Sequence, residues 1–225
     1  MPWSEWIRTV EIEPSLYAAD FARLGEQIEV LLRAGVRIFH FDVGDGHFVP
    51  PITMGPIVLE SISPIVRDQG GVLDCHLMVD DPLQHLDEMA SSGADSITFH
   101  VEAASDPAGV IAAARERGLG VGVAFKPETP VETAVEAAAG ADLVLCMSIE
   151  PGYSGQPFMP EALPRIRRLR GLLGDGVPIQ VDGGIDDENA QAVREAGATL
   201  LVAGTAIFGH EDLPRAYRRL VQALA

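Results

Sequence analysis

Short runs rich in β-branched residues alternate along the chain with longer segments whose apolar residues recur at helical spacing. The runs are Val10–Glu13, Arg37–Asp42, Val72–His76, Ser96–His100, Gly120–Phe125, Leu143–Met147, Pro178–Val181 and Leu200–Ala203. Each has the length and composition of a strand. The segments between them predict helices over about 20–34, 56–66, 82–92, 107–117, 131–139, 160–173, 188–196 and 212–224. Gly35, Gly93, Gly118, Gly140 and Gly197 stand between a helix and the next strand, where a helix-ending glycine belongs. Eight strands, each followed by a helix, is the count of an α/β protein of the (β/α)8 TIM-barrel class. An open doubly wound sheet is the alternative, and it usually has fewer strands at this length. No linker, low-complexity tract or charge block divides the chain. The expectation is therefore one barrel domain over residues 1–225, with a short N-terminal extension at 1–8. Trp3 and Trp6, at helical spacing in that extension, are expected to cover the bottom of the barrel rather than join a subunit interface.

Composition narrows the function classes. Hydrophobic residues make up 47% of 225 residues, enough for one sizeable core. No apolar run reaches membrane-spanning length, and Met1–Trp6 has no basic segment leading into an apolar stretch, so no signal peptide is expected. Two cysteines form no disulfide framework and make a reducing cytoplasm the default location. A net charge of −17 argues against nonspecific binding to nucleic acid or an anionic membrane. It also means that a phosphorylated substrate must be held by strong local donors. Lys and Arg are scarce in the loops, so backbone amides are the natural candidates.

In a barrel of this kind the chemistry collects at the C-terminal ends of the strands. His40 and Asp42 lie two residues apart at the end of the second strand and project to the same face. His76 ends the third strand, and Asp182 follows the seventh. Two imidazoles and two carboxylates make a first shell for a divalent metal ion such as Zn, Fe, Mn or Co. Each residue alone reads as a buried histidine or a capping aspartate; four together at strand ends do not. Gly152-Tyr153-Ser154-Gly155, Gly183-Gly184 and Gly204 cluster after strands six, seven and eight. Loops there often hold phosphate, because glycine lets backbone N–H groups approach an anion. Ordinary turn glycines are the plainer reading. Cys75 and Cys146 are out of phase with His76 and Met147 and read as small core residues. Asp45 reads as a turn former and His47 as fixing its loop. His85 and His210 read as solvated. Arg165, Arg167, Arg168 and Arg170 read as a solvated helix face with intrahelix ion pairs. Lys126 at the end of strand five is a weak candidate for Schiff-base chemistry, with no supporting feature.

Several strings together resemble the ribulose-phosphate 3-epimerase family. They are Pro14-Ser15-Leu16, Ala19-Asp20-Phe21, the whole segment His40–Pro50, Asp74–Val79, Thr98–Ala103, Met147–Gly152, Val181–Gly184 and Ala203–Ile207. They run in the family's order from about residue 11 to 209. The resemblance implies a TIM barrel that interconverts ribulose 5-phosphate and xylulose 5-phosphate, both phosphorylated ketoses. It maps one divalent metal ion onto His40, Asp42, His76 and Asp182, and makes Asp42 and Asp182 the two acid/base groups. It places Ser15, His76, Met78 and Met147 beside the substrate. It places Gly152, Ser154, Gly155, Gly183, Gly184, Gly204 and Thr205 around it and its phosphate. It also implies a homo-oligomer, and a structural role for His100 and Glu102 despite their metal-like spacing. The chemistry fits these residue types: inverting C3 of a 2-ketose removes a proton alpha to a carbonyl and returns one to the other face. The alternatives are an epimerase for another ketose phosphate, such as allulose 6-phosphate or a tetrulose phosphate, and a non-catalytic sugar-phosphate-binding protein. The chain departs from the family pattern at Gly44, where methionine is usual, at Glu13, where a small residue is usual, and at Tyr17 and Ser154. The gap left at Gly44 either widens the roof of the site or is filled by a neighbour.

Overall fold

The computed structural model of the chain describes residues 3–7 and 9–224. Eight strands follow one another around a barrel: β1 (Glu11–Pro14), β2 (Ile38–Gly44), β3 (Val72–Met78), β4 (Ser96–His100), β5 (Gly120–Phe125), β6 (Leu143–Met147), β7 (Ile179–Asp182) and β8 (Leu200–Ala203). Every ladder is parallel, in the order β1-β8-β7-β6-β5-β4-β3-β2. A single bridge, Ser15 to His40, joins β1 to β2 and brings the ring to near closure. The helices are α1 (Trp3–Trp6), α2 (Leu24–Arg33), α3 (Pro56–Arg67), α4 (Leu86–Ser92), α5 (Pro107–Glu116), α6 (Val131–Ala137), α7 (Ala162–Leu173), α8 (Ala190–Glu195), α9 (Thr205–Phe208) and α10 (Leu213–Ala223).

The period-two alternation of a strand sorts its side chains onto two faces. Phe39, Phe41 and Val43 of β2 and Leu73, Cys75 and Leu77 of β3 point outward, into the apolar layer under the helices. Cys146 lies in the same layer. Residues of the opposite phase point inward. At the barrel's bottom these are apolar: Ile38, Val72, Leu143, Leu145 and Leu200 pack with Trp3 and Trp6. The two indoles meet edge to face with centroids 4.9 Å apart. A side chain at Gly120 would stand 3.2 Å from the Trp3 indole nitrogen, so this glycine makes room for the plug. Met1, Pro2 and Arg8 of the expected extension lie outside the described residues. Above the plug the inward positions turn polar, and that change positions the site.

Several boundaries differ from the expected ones for local reasons. The segments expected as helices from Asp20 and Pro82 open with 3-10 turns, Phe21–Arg23 and Pro82–His85. Asp20 and Asp81 cap them, accepting from the N–H groups of Ala22 and Leu83. β2 and β3 each run two residues further, to Gly44 and Met78, because they stay in register over their whole length. The four-residue α9 after β8 was not anticipated. The arginines of α7 divide: Arg167 and Arg168 stand on the exposed face, as expected, while Arg165 and Arg170 are half-buried, and the ion pair is with another helix rather than within α7. Arg165 donates to the carbonyls of Met147 and Lys126. Arg168 pairs with Glu132 of α6, and Arg170 donates to the carbonyls of Gly197, Gly174 and Val177. They tie α7 to the strand ends and loops around it. Among the described residues, no helix is long and apolar enough to cross a membrane.

Candidate active site

The register of β2 against β3 pairs His40 with Asp74 and Asp42 with His76. Asp182 pairs with Met147 across the β6–β7 ladder. These side chains point inward, and the curvature of the ring brings them together. One ligand atom from each of His40, Asp42, His76 and Asp182 lies within 4.8 Å of the others. Asp42 Oδ1 stands 3.3 Å from His40 Nε2 and 3.3 Å from His76 Nδ1. Asp182 Oδ2 stands 3.8 Å from His76 Nδ1. His40 and His76 are fully buried. Asp182 is the most open of the four, its side chain 16% exposed.

A second polar tier supports the first from below. Asp74 Oδ2 stands 3.1 Å from His40 Nδ1 and accepts from Gln180 Nε2 at 2.8 Å, while Asp74 Oδ1 accepts from Ser96 Oγ at 2.7 Å. Gln180 Nε2 also donates to Glu13 Oε2 at 2.6 Å. With Nδ1 facing Asp74, His40 turns Nε2 to the cluster, where it is buried and makes no hydrogen bond. His76 is turned the other way: Nδ1 faces the carboxylates and Nε2 faces His100.

Burial would by itself lower the His40 pKa, but the Asp42, Asp74 and Glu13 carboxyls around it raise it well above the ordinary value. Burial likewise works to raise Asp42, yet the two imidazoles hold it well below the usual carboxylate range. Asp182 goes the other way, pushed up to about 6 by burial and then by the charge of Asp42. Neighbouring carboxyls with opposite shifts are a pattern of acid/base sites. Burial drives His100 down to about 4 against the pull of Glu102. Burial works to raise Glu102, but hydrogen bonds from His100, Thr129 and the Lys126 amide bring it to about 2.

A pocket opens over the cluster at the C-terminal ends of the strands. Ser15, Asp42, Met78, Met147 and Asp182 line it. Gly152, Ser154, Gly155, Gly183, Gly184, Gly204 and Thr205 line it as well. Ser15 Oγ donates to Asp42 Oδ2 at 2.6 Å. The Gly183-Gly184 turn has φ of +123° and +65°, which favours glycine. Side chains there would meet Ile149 at 2.4 Å and the Phe158 amide at 2.3 Å. Ser148 Oγ holds the turn through the carbonyls of Asp182 and Gly183. His76, expected also beside the substrate, does not line the pocket; it is sealed beneath Asp42 and Asp182 because β3 carries it into the barrel's interior.

The space beside Gly44 is filled. A Cβ there would stand 2.9 Å from both the Pro51 carbonyl and Val49 Cγ2. Thr53 Oγ1 accepts from the Gly44 N–H and donates to the Asp42 carbonyl, each at 2.7 Å. The loop after β2 is thus folded down onto the strand. Asp45 is a turn former: it accepts from the N–H groups of His47, Phe48 and Asp80, each at 2.8 Å. His47 is exposed. Lys126 lies with Nζ 4.1 Å from the centre of the Phe48 ring and is not a lining residue of the pocket.

Tyr17, Ile149, Pro151, Tyr153, Ile185 and Val202 complete the pocket lining, and Asp74, Gln180 and Ser96 lie beneath the cluster; none of these is among the site residues expected from the sequence. A signal for the lower tier was present. Glu13, Asp74 and Gln180 each lie two residues before a site residue, Ser15, His76 and Asp182, so each shares its inward face.

A sequence model described as the ribulose-phosphate 3 epimerase family matches residues 11–208. A ribulose-phosphate 3-epimerase from Bacillus subtilis is 38% identical over 211 residues, covering 92% of this chain and 96% of that protein. The Schizosaccharomyces pombe enzyme of the same name is 41% identical over 204 residues, covering 91% of this chain and 89% of its own. Among solved structures, a 3-hexulose-6-phosphate synthase superposes with a TM-score of 0.70 at 25% identity, covering 96% of this chain and all of that one. A protein titled KGPDC from Streptococcus mutans superposes with a TM-score of 0.71 at 15% identity, over 96% of this chain and 98% of that one. The structural likenesses bear on the barrel fold.

Proposed function

The chain belongs to the ribulose-phosphate 3-epimerase family, and from that premise we propose that it interconverts D-ribulose 5-phosphate and D-xylulose 5-phosphate with the help of one divalent metal ion. The observation that carries the reading is the convergence of His40, Asp42, His76 and Asp182 under the pocket, with Asp42 and Asp182 opening into it. The donor set fits such an ion: two imidazole nitrogens and two carboxylates turn toward one point, and the buried His40 Nε2 has no hydrogen-bond partner of its own. When bound, the ion stabilises negative charge on the sugar oxygens as a Lewis acid.

The chain's own residues do the rest. Asp42 and Asp182 stand on strands that are not neighbours in the ring, so their carboxyls flank the reacting carbon from two sides. One removes the C3 proton from one face of the ketose and the other delivers a proton to the opposite face, their roles exchanging in the reverse direction. Ser15 holds Asp42 in place through its short hydrogen bond. Met78 and Met147, both buried, give the reacting carbons an apolar wall. The open backbone of Gly183, Gly184, Gly204 and Thr205, with the Ser154 hydroxyl, receives the phosphate. Two free, buried cysteines support a reducing, cytoplasmic setting.

The test is deuterium entry at C3, followed by NMR in D2O, with ribulose 5-phosphate, allulose 6-phosphate and a tetrulose phosphate as substrates. Exchange with ribulose 5-phosphate, formation of xylulose 5-phosphate and loss of both on chelation are expected. Exchange with another ketose phosphate only would reject the substrate, and chelator-resistant exchange would reject the metal. Binding of the sugar phosphate with no exchange in any of the three would make the protein a binder. Asp42→Asn and Asp182→Asn are each expected to lower kcat by about 10²–10⁴.

A further inference from the structure

A chain of polar groups, buried at its two imidazoles and ending at the exposed Glu102, leaves the cluster on the side away from the pocket. His76 Nε2 and His100 Nε2 stand 2.9 Å apart. The rings are stacked at a centroid distance of 5.0 Å and an interplanar angle of 25°. His100 Nδ1 stands 3.2 Å from Glu102 Oε2. Glu102 Oε1 in turn accepts from the Lys126 backbone N–H at 2.8 Å and from the Thr129 hydroxyl. Both imidazoles are fully buried. The Phe48 ring covers His100 with centroids 4.8 Å apart, and Lys126 Nζ covers Phe48.

These contacts have a direction. Two ring nitrogens approach to 2.9 Å only when one carries a hydrogen and the other a lone pair. Glu102 decides which is which. A carboxylate that already accepts from two other donors presents only lone pairs to His100, so His100 Nδ1 is the N–H. In a neutral imidazole that leaves the lone pair on Nε2, and His76 must donate from its own Nε2. His76 Nδ1 is then the nitrogen turned to the carboxylates, 3.3 Å from Asp42 Oδ1 and 3.8 Å from Asp182 Oδ2; a bound cation takes its lone pair, and without one a hydrogen there is shared with Asp42.

We infer that His100 and Glu102 are positioning residues that hold His76 in the tautomer whose Nδ1 lone pair points into the metal-ligand cluster. The inference rests on the metal reading above. It gives a specific task to a pair whose spacing imitates a ligand pair. It also makes the two histidine ligands mirror cases: Asp74 leaves His40 to bind through Nε2, and the His100–Glu102 relay leaves His76 to bind through Nδ1. Partners of this kind typically change metal affinity by about 10–100-fold when removed.

The test has two arms. In the first, ¹⁵N-histidine NMR reads which nitrogens of His76 carry a hydrogen in wild type, loaded with Zn²⁺ and after chelation. A hydrogen on Nε2 is expected in both forms, with none on Nδ1 in the Zn²⁺-loaded one; a bare Nε2 in either form overturns the inference. In the second, Zn²⁺ affinity is measured by competition with a chromophoric chelator. His100→Leu removes both the acceptor and the donor and is expected to weaken binding by about 10–100-fold. His100→Gln offers an amide oxygen to His76 and an amide nitrogen to Glu102 and is expected to retain most of the affinity. Wild-type affinity in His100→Leu overturns the inference, as does His100→Gln binding no better than His100→Leu. If His100→Leu does not fold, the wild-type tautomer and the affinity of His100→Gln decide. If the wild type takes up no divalent ion, the metal reading falls, and the tautomer measurement still decides whether the relay orients His76.

Discussion

Glu13 offers a quantitative test of the polar tier inside the barrel. It is fully buried, with Oε2 accepting from Gln180 at 2.6 Å and lying 3.8 Å from His40 Nδ1. Burial raises its pKa from the ordinary 4.5 to about 7; the contact with His40 works against that and the charge of Asp74 works with it. A carboxyl whose folded pKa exceeds its unfolded one prefers the protonated state in the fold. Its contribution is therefore complete below about pH 4.5 and is lost as pH rises to about 7. The gap, at about 1.4 kcal/mol per pH unit, comes to about 3 kcal/mol of lost stability at pH 8. Glu13→Gln keeps the shape and an acceptor for Gln180 but is neutral at every pH. The variant is expected to exceed the wild type by about 3 kcal/mol at pH 8, the advantage shrinking toward zero near pH 4.5. Urea unfolding followed by circular dichroism, with chelator present and at a series of pH values, measures the difference directly. Taking the difference between the two proteins removes other titrating groups, Asp182 among them, which shifts in the same direction. Stabilities that run parallel from pH 4.5 to 7 would mean that Glu13 is ionised in the fold, and the account of the tier would fail.

Three further outcomes follow from the geometry. Gly44→Met drives a side chain into the Pro51 carbonyl and Val49 and is expected to cost about 1–3 kcal/mol in urea unfolding; an unchanged midpoint would mean that the loop does not rest on the strand. Gly184→Ala combines a φ of +65° with a Cβ 2.3 Å from the Phe158 amide. It is expected to raise KM for the sugar phosphate by about tenfold or more as the turn shifts from the anion, and steady-state kinetics with an unchanged KM would remove that turn from the phosphate site. Zn²⁺ at a hundred times its Kd is expected to stabilise the protein by about 2.7 kcal/mol over the chelated form; an unfolding midpoint indifferent to Zn²⁺ and to other divalent ions would speak against the cluster as a metal site.

Much of this was legible along the chain because the alternation of a strand is a local property. His40 and Asp42 share a face at any register, and so do Asp74 with His76 and Gln180 with Asp182. The glycines between helices and strands mark boundaries for the same reason: backbone conformation depends on the residue that adopts it. The order of elements, the inward phase of each strand and the residue types at its end are therefore written locally along the chain.

Which of those inward residues meet depends on how the strands close into a ring. Gln180 reaches Glu13 and Asp74 only because β7 faces β1 and β3 inside one ring. No local pattern carries a contact between residues 167 or 106 positions apart. Arg165 and Arg170 of α7 end on carbonyls rather than in solvent because docking the helix on the barrel puts the carbonyls of strand ends and loops within their reach. Gly44 shows the same limit: whether its missing side chain leaves a gap depends on where Val49 and Pro51 come to rest. The choice of Nε2 in His40 and Nδ1 in His76 is decided by Asp74 below one ring and His100 beside the other. Local backbone physics sets the face on which a side chain stands, and closure of the barrel sets what it finds there.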